Sequence, residues 1–295
     1  MTRTQDISSQ NTLALLSHQT PFHVHMVHLT VKNLTLVSQF YKDIMGLTVV
    51  SQLTNEILLG TSEIGFLHLK ADPSARQQSR GMAGLFHTAF LVPARRDLAN
   101  WLKHAQANTA AIEGASDHGV SEAFYLSDPE GNGIEIYVDR PQKEWIWQDG
   151  KVTMGNARID MRGLLHLASQ SNNDATPFVL ATGSRIGHVH LCVPTLAEAR
   201  GFLQAVLGLD ETCAFTGAAF FSNGGYHHHI ATNIWSSEGG EKWQAGYLGL
   251  SKVTFAASNP NARLALVSKW KSNGAQDHGA ETCLTSPWGT VFALQ

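Results

Sequence analysis

Fifteen histidines stand in this 295-residue chain, and several occupy positions where histidine is awkward. His25 and His28 interrupt the apolar run from Phe22 to Val31. His87 interrupts Leu85 to Val92, and His188 and His190 interrupt Ile186 to Val193. A buried imidazole needs a partner; a backbone carbonyl is the common one and a metal ion the consequential one. Glu135 lies between Ile134 and Ile136, as an inward charge on a strand would, and such a charge is costly unless paired. The run Tyr226-His227-His228-His229-Ile230 gathers three imidazoles, a side chain suited to moving protons near neutral pH. Cys192, Cys213 and Cys283 are far apart and form no CxxC, which argues against a disulfide framework and a thiolate zinc site.

The elements that must position these residues repeat along the chain. Val27-His28-Leu29-Thr30-Val31, Phe40 and Met45-Gly46-Leu47 recur as Val189-His190-Leu191-Cys192-Val193, Phe202 and Leu207-Gly208-Leu209, each pair 162 apart, as Gly46 is from Gly208. Ser127-Asp128-Pro129-Glu130-Gly131, heading Ile134 to Tyr137, recurs as Ser286-Pro287-Trp288-Gly289, heading Val291 to Leu294. Each half divides again. Strand periodicity at 27–31 is followed by a helix over 36–45 with Leu36, Phe40 and Ile44 on one face, then strands at 47–52, 57–60 and 64–69. A strand at 85–92, a helix at 96–107 and strands at 122–127 and 133–138 follow, the last two joined by turn-forming Asp128 to Gly133. The expected fold is α+β, with four βαβββ modules in tandem forming two cup-shaped mixed sheets whose concave faces line a cavity. The expected division is an N-terminal extension (1–20), a first domain of modules 1 and 2 (21–140), a linker (141–184) with a loop over 169–183, and a second domain of modules 3 and 4 (185–295).

Composition narrows the function classes. With 43% hydrophobic and 15% charged residues there is ample material for a core. A net charge of −3 without a basic run gives no footprint for nucleic acid or a membrane surface. No stretch of about 18 apolar residues reads as a membrane span, and residues 1–19 lack the layout of a signal peptide, so a cytoplasmic location is expected.

The βαβββ repeat, Tyr41…Met45-Gly46-Leu47 and Asp128-Pro129-Glu130-Gly131-Asn132-Gly133-Ile134-Glu135 resemble the vicinal oxygen chelate superfamily. That superfamily holds glyoxalase I, extradiol ring-cleaving dioxygenases and bleomycin and fosfomycin resistance proteins, and the resemblance runs from Phe22 onward. Ser121 to Pro129, continuing to Asp139-Arg140-Pro141, and Gly224 to His229, continuing to Asn233-Ile234-Trp235, resemble the bacterial two-domain catechol 2,3-dioxygenases. The resemblance implies ligands on the first and last strands of a module. Carried over by position, these are His87 in module 2, His188 in module 3 and Glu135 in module 2. The matching positions hold Met26, Lys252 and Ala293, and by count His227 stands where module 3 would have its own Glu135. Pairing modules 2 and 3 joins His87, Glu135 and His188, a two-histidine, one-carboxylate set suited to Fe(II), with Mn, Ni or Zn as alternatives. The rival pairing of modules 1 and 2 would use His28 with His87 and Glu135. Each ligating imidazole is expected to give its other nitrogen to an acceptor.

The resemblance further implies an acid–base histidine in the 226–229 run. Strand alternation there favours His227 or His229, with His228 in reserve. His190, Tyr226 and Tyr125 are candidates for substrate contact. The implied activity is extradiol cleavage of a catechol or related hydroxylated aromatic by dioxygen, as in aromatic-compound degradation; assembly into a homo-oligomer is left open. Two alternatives stand beside it. A glyoxalase-like lyase or isomerase would want a second metal carboxylate, and a binding or resistance protein would hold a small molecule without turnover. For the histidines taken singly, satisfied residues lining the cup are the plainer reading, and Asp128 to Gly131 read simply as a turn.

Overall fold

The computed structural model describes residues 15–62, 64–79, 81–170 and 177–295. Module 1 comprises β1 (Phe22–Val31), α1 (Leu34–Asp43), β2 (Thr48–Gln52), β3 (Glu56–Thr61) and β4 (Ile64–Ala71). Module 2 comprises β5 (Gly84–Leu91), α2 (Arg95–Ala107), β6 (Gly114–Asp117), β7 (Ser121–Ser127) and β8 (Gly133–Asp139). A small hairpin of β9 (Trp147–Gln148) and β10 (Lys151–Val152) and the helix α3 (Met161–Ser169) follow. Module 3 has β11 (Arg185–Cys192), α4 (Leu196–Arg200), β12 (Asp210–Phe215), β13 (Ala218–Ser222) and β14 (Ile230–Asn233). Module 4 has β15 (Gly249–Ala257), α5 (Pro260–Lys271), β16 (Gln276–His278), β17 (Glu281–Thr285) and β18 (Val291–Leu294).

The hydrogen-bonded sheets cross the two halves of the sequence. One runs β16-β17-β18-β15-β1-β4-β3-β2 and joins modules 1 and 4; the other runs β12-β13-β14-β11-β5-β8-β7-β6 and joins modules 2 and 3. Within a module the first and last strands are parallel neighbours, and the two modules of a sheet meet through antiparallel first strands, β1 with β15 and β5 with β11. The division at 141–184 is therefore one of sequence, and each sheet takes one module from each half. A single core spans both sheets; Phe66 of one meets Phe90 of the other with ring centroids 6.2 Å apart.

Three local readings change. The buried face of α1 carries Val37, Ser38 and Tyr41, whereas Leu36 is 50% exposed. Separately, Asn33 accepts from Leu36 N at 3.0 Å and starts the helix two residues earlier than the apolar spacing suggested. The described part of the linker before residue 171 holds a hairpin and a helix. Asp160 caps α3 by accepting from Gly163 N at 3.0 Å, and Leu164 and Ala168 bury its apolar face; of the expected loop, 171–176 lie outside the described residues. The Asp128–Gly131 turn is also a clamp. Glu130 accepts from Lys32 N at 2.8 Å and Asn33 N at 2.7 Å, tying module 2 to the start of α1. Of the N-terminal extension, 1–14 lie outside the described residues, and Leu15 and Leu16 pack against the module 2–3 sheet. No described helix is long and apolar enough to cross a membrane.

Candidate metal centre

Three strands bring one cluster together. In the register, Ala89 of β5 stands beside Glu135 of β8 on one side and His188 of β11 on the other. His87 lies two residues from Ala89, so strand alternation puts its side chain on the same face. His87, Glu135 and His188 are all buried, and one ligand atom from each lies within 4.8 Å of the others. His87 Nε2 is 2.9 Å and His188 Nε2 3.3 Å from Glu135 Oε2. Burial opposes the charge on Glu135, but His188 and His87 outweigh it and hold the carboxyl well below its usual range. Burial pushes the His188 imidazole down to about 4, with Glu135 opposing, so it carries a free lone pair.

The donor set fits a divalent ion. His87 Nε2 is buried, close to the Glu135 oxygen, yet out of line for a hydrogen bond. A buried imidazole nitrogen left without a hydrogen-bond partner beside a carboxylate oxygen is the kind of polar atom that a bound cation would satisfy. The second half of the expectation for the imidazoles is not met: His188 Nδ1 is buried without a hydrogen-bond partner. Its ring is packed against His228 and Tyr137, with centroids 4.1 and 4.9 Å away.

The rival set is separated by the sheets. His28 belongs to β1, in the module 1–4 sheet, where it meets His68 Nδ1 at 3.1 Å and Thr254 Oγ1 at 3.0 Å. In that cup Lys252 holds a first-strand ligand position and pairs with Glu281 at 2.6 Å, while His68 pairs with Glu56 at 3.1 Å. An ammonium thus takes the place of a cation, and the carboxylates are already engaged. Among the described residues no other three histidine, cysteine or acidic side chains gather as His87, Glu135 and His188 do. One tightly held divalent ion per chain is expected by elemental analysis. His87→Ala should abolish it, and a full equivalent retained in that variant would place the metal elsewhere.

The histidine run is not strand. It forms the turn before β14, so alternation does not apply, and all three rings are buried. His190 pairs with Ala231 in the parallel register just as Ala89 pairs with Glu135, so Ala231, not His227, fills the second carboxylate position. His229 is committed elsewhere: Nε2 reaches Ser17 O at 3.0 Å and Thr20 Oγ1 at 3.3 Å, and Nδ1 reaches Ser222 Oγ at 2.8 Å. His227 lies between Asp139 and His228. His228, whose ring lies on His188, is the member of the run nearest the cluster. Tyr226 donates its hydroxyl to Asp139 at 3.1 Å and accepts from the Tyr137 hydroxyl at 2.8 Å, and is not free for a substrate.

Other side chains do surround the cluster. Tyr125 sits across from Glu135 in the β7–β8 register, its ring centroid 5.7 Å from that of His87, and burial with the nearby Glu135 charge raises its phenol. His118, which no spacing or motif singles out, places Nε2 2.6 Å from the Tyr125 hydroxyl and Nδ1 2.8 Å from Gly155 O. A carbonyl only accepts, so Nδ1 donates to Gly155, and Nε2 faces the Tyr125 hydroxyl. The linker supplies Gly155, and no local pattern foretells that contact. Asn233 Nδ2 donates to His190 Nε2 at 3.0 Å, and the His190 ring stands edge-on to His87 at 4.9 Å. Phe86 and Trp235, 41% and 58% exposed, flank His190 at 4.8 and 5.6 Å.

Paired βαβββ cups with an imidazole–carboxylate cluster on the floor of one define the glyoxalase-like class of protein. Residues 23–136 match the Glyoxalase/Bleomycin resistance protein/Dioxygenase superfamily. The catechol-2,3-dioxygenase of Bacillus subtilis (strain 168) is 37% identical over 237 residues, 79% of this chain and 81% of that protein. The chain belongs to this superfamily, and its sequence similarity runs to the dioxygenases within it. A crystal structure from Bacillus subtilis subsp. subtilis str. 168 superposes over 93% of this chain and 84% of its own, with a TM-score of 0.62 at 14% identity. Glyoxalase I from Zea mays superposes over 94% of this chain and 93% of its own, with a TM-score of 0.52 at 13% identity. At such identities these likenesses speak for the fold alone.

Proposed function

We propose that this chain is an Fe(II)-dependent extradiol ring-cleaving dioxygenase acting on a catechol or a related hydroxylated aromatic. The observation that carries this reading is the convergence of two imidazoles and one carboxylate with Ala231 where a second carboxylate would stand. Three protein ligands on one face leave positions for both a chelating diol and dioxygen. A glyoxalase-like lyase would need the carboxylate that Ala231 lacks. His87, Glu135 and His188 would hold the iron, which when bound supplies the redox chemistry between dioxygen and an electron-rich ring.

The chain's own residues supply the rest. Phe86 and Trp235 offer apolar ring faces beside the cluster for an aromatic substrate. Tyr125, backed by His118, presents a polar group to a substrate oxygen. His228 takes the substrate's hydroxyl proton; it lies against His188 while His229 is tied to the N-terminal segment and His227 stands behind. Aerobic incubation of the iron-loaded protein with catechol should consume oxygen and give a yellow ring-cleavage product. No oxygen uptake with catechol or its alkyl- and aryl-substituted forms would overturn the reading. Within it, His228→Ala should lower kcat about 10²- to 10⁴-fold, the usual worth of a general base, with iron retained; steady-state kinetics at known iron content measures this.

A further inference from the structure

Behind His228 runs a chain of hydrogen bonds that the activity alone does not call for. His228 Nδ1 lies 2.7 Å from His227 Nδ1, and His227 Nε2 lies 2.8 Å from Asp139 Oδ1. The same Asp139 oxygen accepts from the Tyr226 hydroxyl at 3.1 Å, and Tyr226 and Tyr137 hydroxyls meet at 2.8 Å. His227, Tyr226 and Tyr137 are almost wholly buried. Asp139 ends β8, four residues after Glu135, so alternation places Glu135, Tyr137 and Asp139 on one face of that strand. The strand that supplies the carboxylate of the metal cluster thus also supplies the last acceptor of the chain.

Donor and acceptor rules fix the protons along it. An ionised carboxylate only accepts, so His227 Nε2 carries hydrogen. With both rings neutral each carries one such hydrogen, so His227 Nδ1 is then bare and accepts. Its partner, His228 Nδ1, must then be the N–H donor. That leaves His228 Nε2 as a bare lone pair. The tautomer of one ring is set by the bond the other nitrogen makes, and here the setting is passed through two rings from Asp139.

We propose that Asp139 and His227 are positioning residues that hold His228 as the Nδ1–H tautomer, with Nε2 poised to accept a proton. As a base this rests on the dioxygenase reading: a substrate O–H bond breaks, its proton forms an N–H bond at His228 Nε2, and the electron pair stays on the substrate oxygen. The tautomer itself does not rest on that reading. Without the carboxylate acceptor, His227 loses its reason to keep hydrogen on Nε2, and His228 is free to present a donor where a base is needed.

The test uses the full chain labelled with ¹⁵N, metal-free and zinc-loaded, and long-range ¹H–¹⁵N correlation of the histidine rings. The wild-type protein should show hydrogen on Nε2 of His227 and on Nδ1 of His228. Hydrogen on Nε2 of His228, or a doubly protonated His227, overturns the proposal without any variant. Asp139→Leu should move the His228 hydrogen toward Nε2 and lower kcat roughly 10- to 100-fold, the size of other supporting-shell losses, with KM for catechol within about threefold. Asp139→Glu, which keeps an acceptor-only group, should restore the wild-type tautomer and much of kcat. An Asp139→Leu protein that folds and keeps the wild-type tautomer overturns the proposal. Wild-type protein with the stated tautomers but no catechol turnover overturns the dioxygenase reading and supports the tautomer assignment, so the two fail separately.

Discussion

Replacing Glu135 with alanine should abolish metal retention while leaving the fold in place. Glu135 is the sole carboxylate in the cluster, and its Oε2 is the atom both imidazoles approach, at 2.9 and 3.3 Å. A buried charge without partners is costly, so the carboxylate and a bound cation stabilise each other, and the alanine protein loses both together. What is left is two buried imidazoles packed against the rings of Tyr125, Tyr137 and His228, on strands whose pairing does not depend on the carboxylate. Supporting residues outside the ligand set are worth about 10- to 100-fold in metal affinity, and a direct ligand should be worth more. Elemental analysis after dialysis against a chelator should therefore find under a tenth of an equivalent of iron, and oxygen uptake with catechol should fall to background. Circular dichroism should be unchanged. Iron at full occupancy in Glu135→Ala would sink the ligand set and the reading built on it.

The second large effect is expected from a residue with no functional group. Gly187 immediately precedes His188 and sits where the β5–β11 register slips between Ile186 and His188. A Cβ at Gly187 would stand 1.7 Å from the Tyr137 hydroxyl oxygen, 2.7 Å from its Cζ and 3.0 Å from Leu91 Cβ. Tyr137 cannot swing aside, being fully buried with its hydroxyl bonded to Tyr226 at 2.8 Å and its ring against His188. Overpacking of this kind costs about 1–3 kcal/mol, a drop of several degrees in Tm for a chain of this size. The strand must also shift, and His188 with it, so Gly187→Ala should weaken metal binding at least tenfold. Thermal unfolding and metal titration measure the two effects. Adding Tyr137→Phe should recover part of the stability, because the closest clashing atom is removed. A Gly187→Ala protein as stable and as fully metallated as the wild type would show that the strand absorbs the methyl group elsewhere.

Much of this molecule is legible in its sequence for a definite reason. The βαβββ order is written in local periodicity and turn chemistry: alternation at Val27 to Val31 and the Asp128–Gly133 turn each act within a few residues. The repeat extends that local information, since Met26, His87, His188 and Lys252 are comparable only because each stands at one place in its module. The apolar spacing misplaced the α1 face because which side of a helix is buried is set by what it packs against, and Val37 and Tyr41 face the core. The linker is less legible because α3 is held by packing against α2 and by the Asp160 cap, while its Ser- and Asn-rich tail reads as loop throughout.

Local pattern is enough for the module order and for the two strands that could carry ligands, His87 and Glu135 being neighbours within one module. It could not determine which module faces which. That choice is made by hydrogen bonding between β5 and β11, some hundred residues apart, which seats His188 beside Ala89 and consigns His28 to the other cup. Nor could it tell that the histidine run is a turn. Alternation describes a chain only where it is extended, and the strand begins at Ile230, one residue too late for any of the three. The roles of His227, His228 and His229 diverge because Asp139, Ser17 and His188 reach them from three distant parts of the chain. Local spacing sets which residues a strand can offer; only the tertiary structure sets what each of them meets.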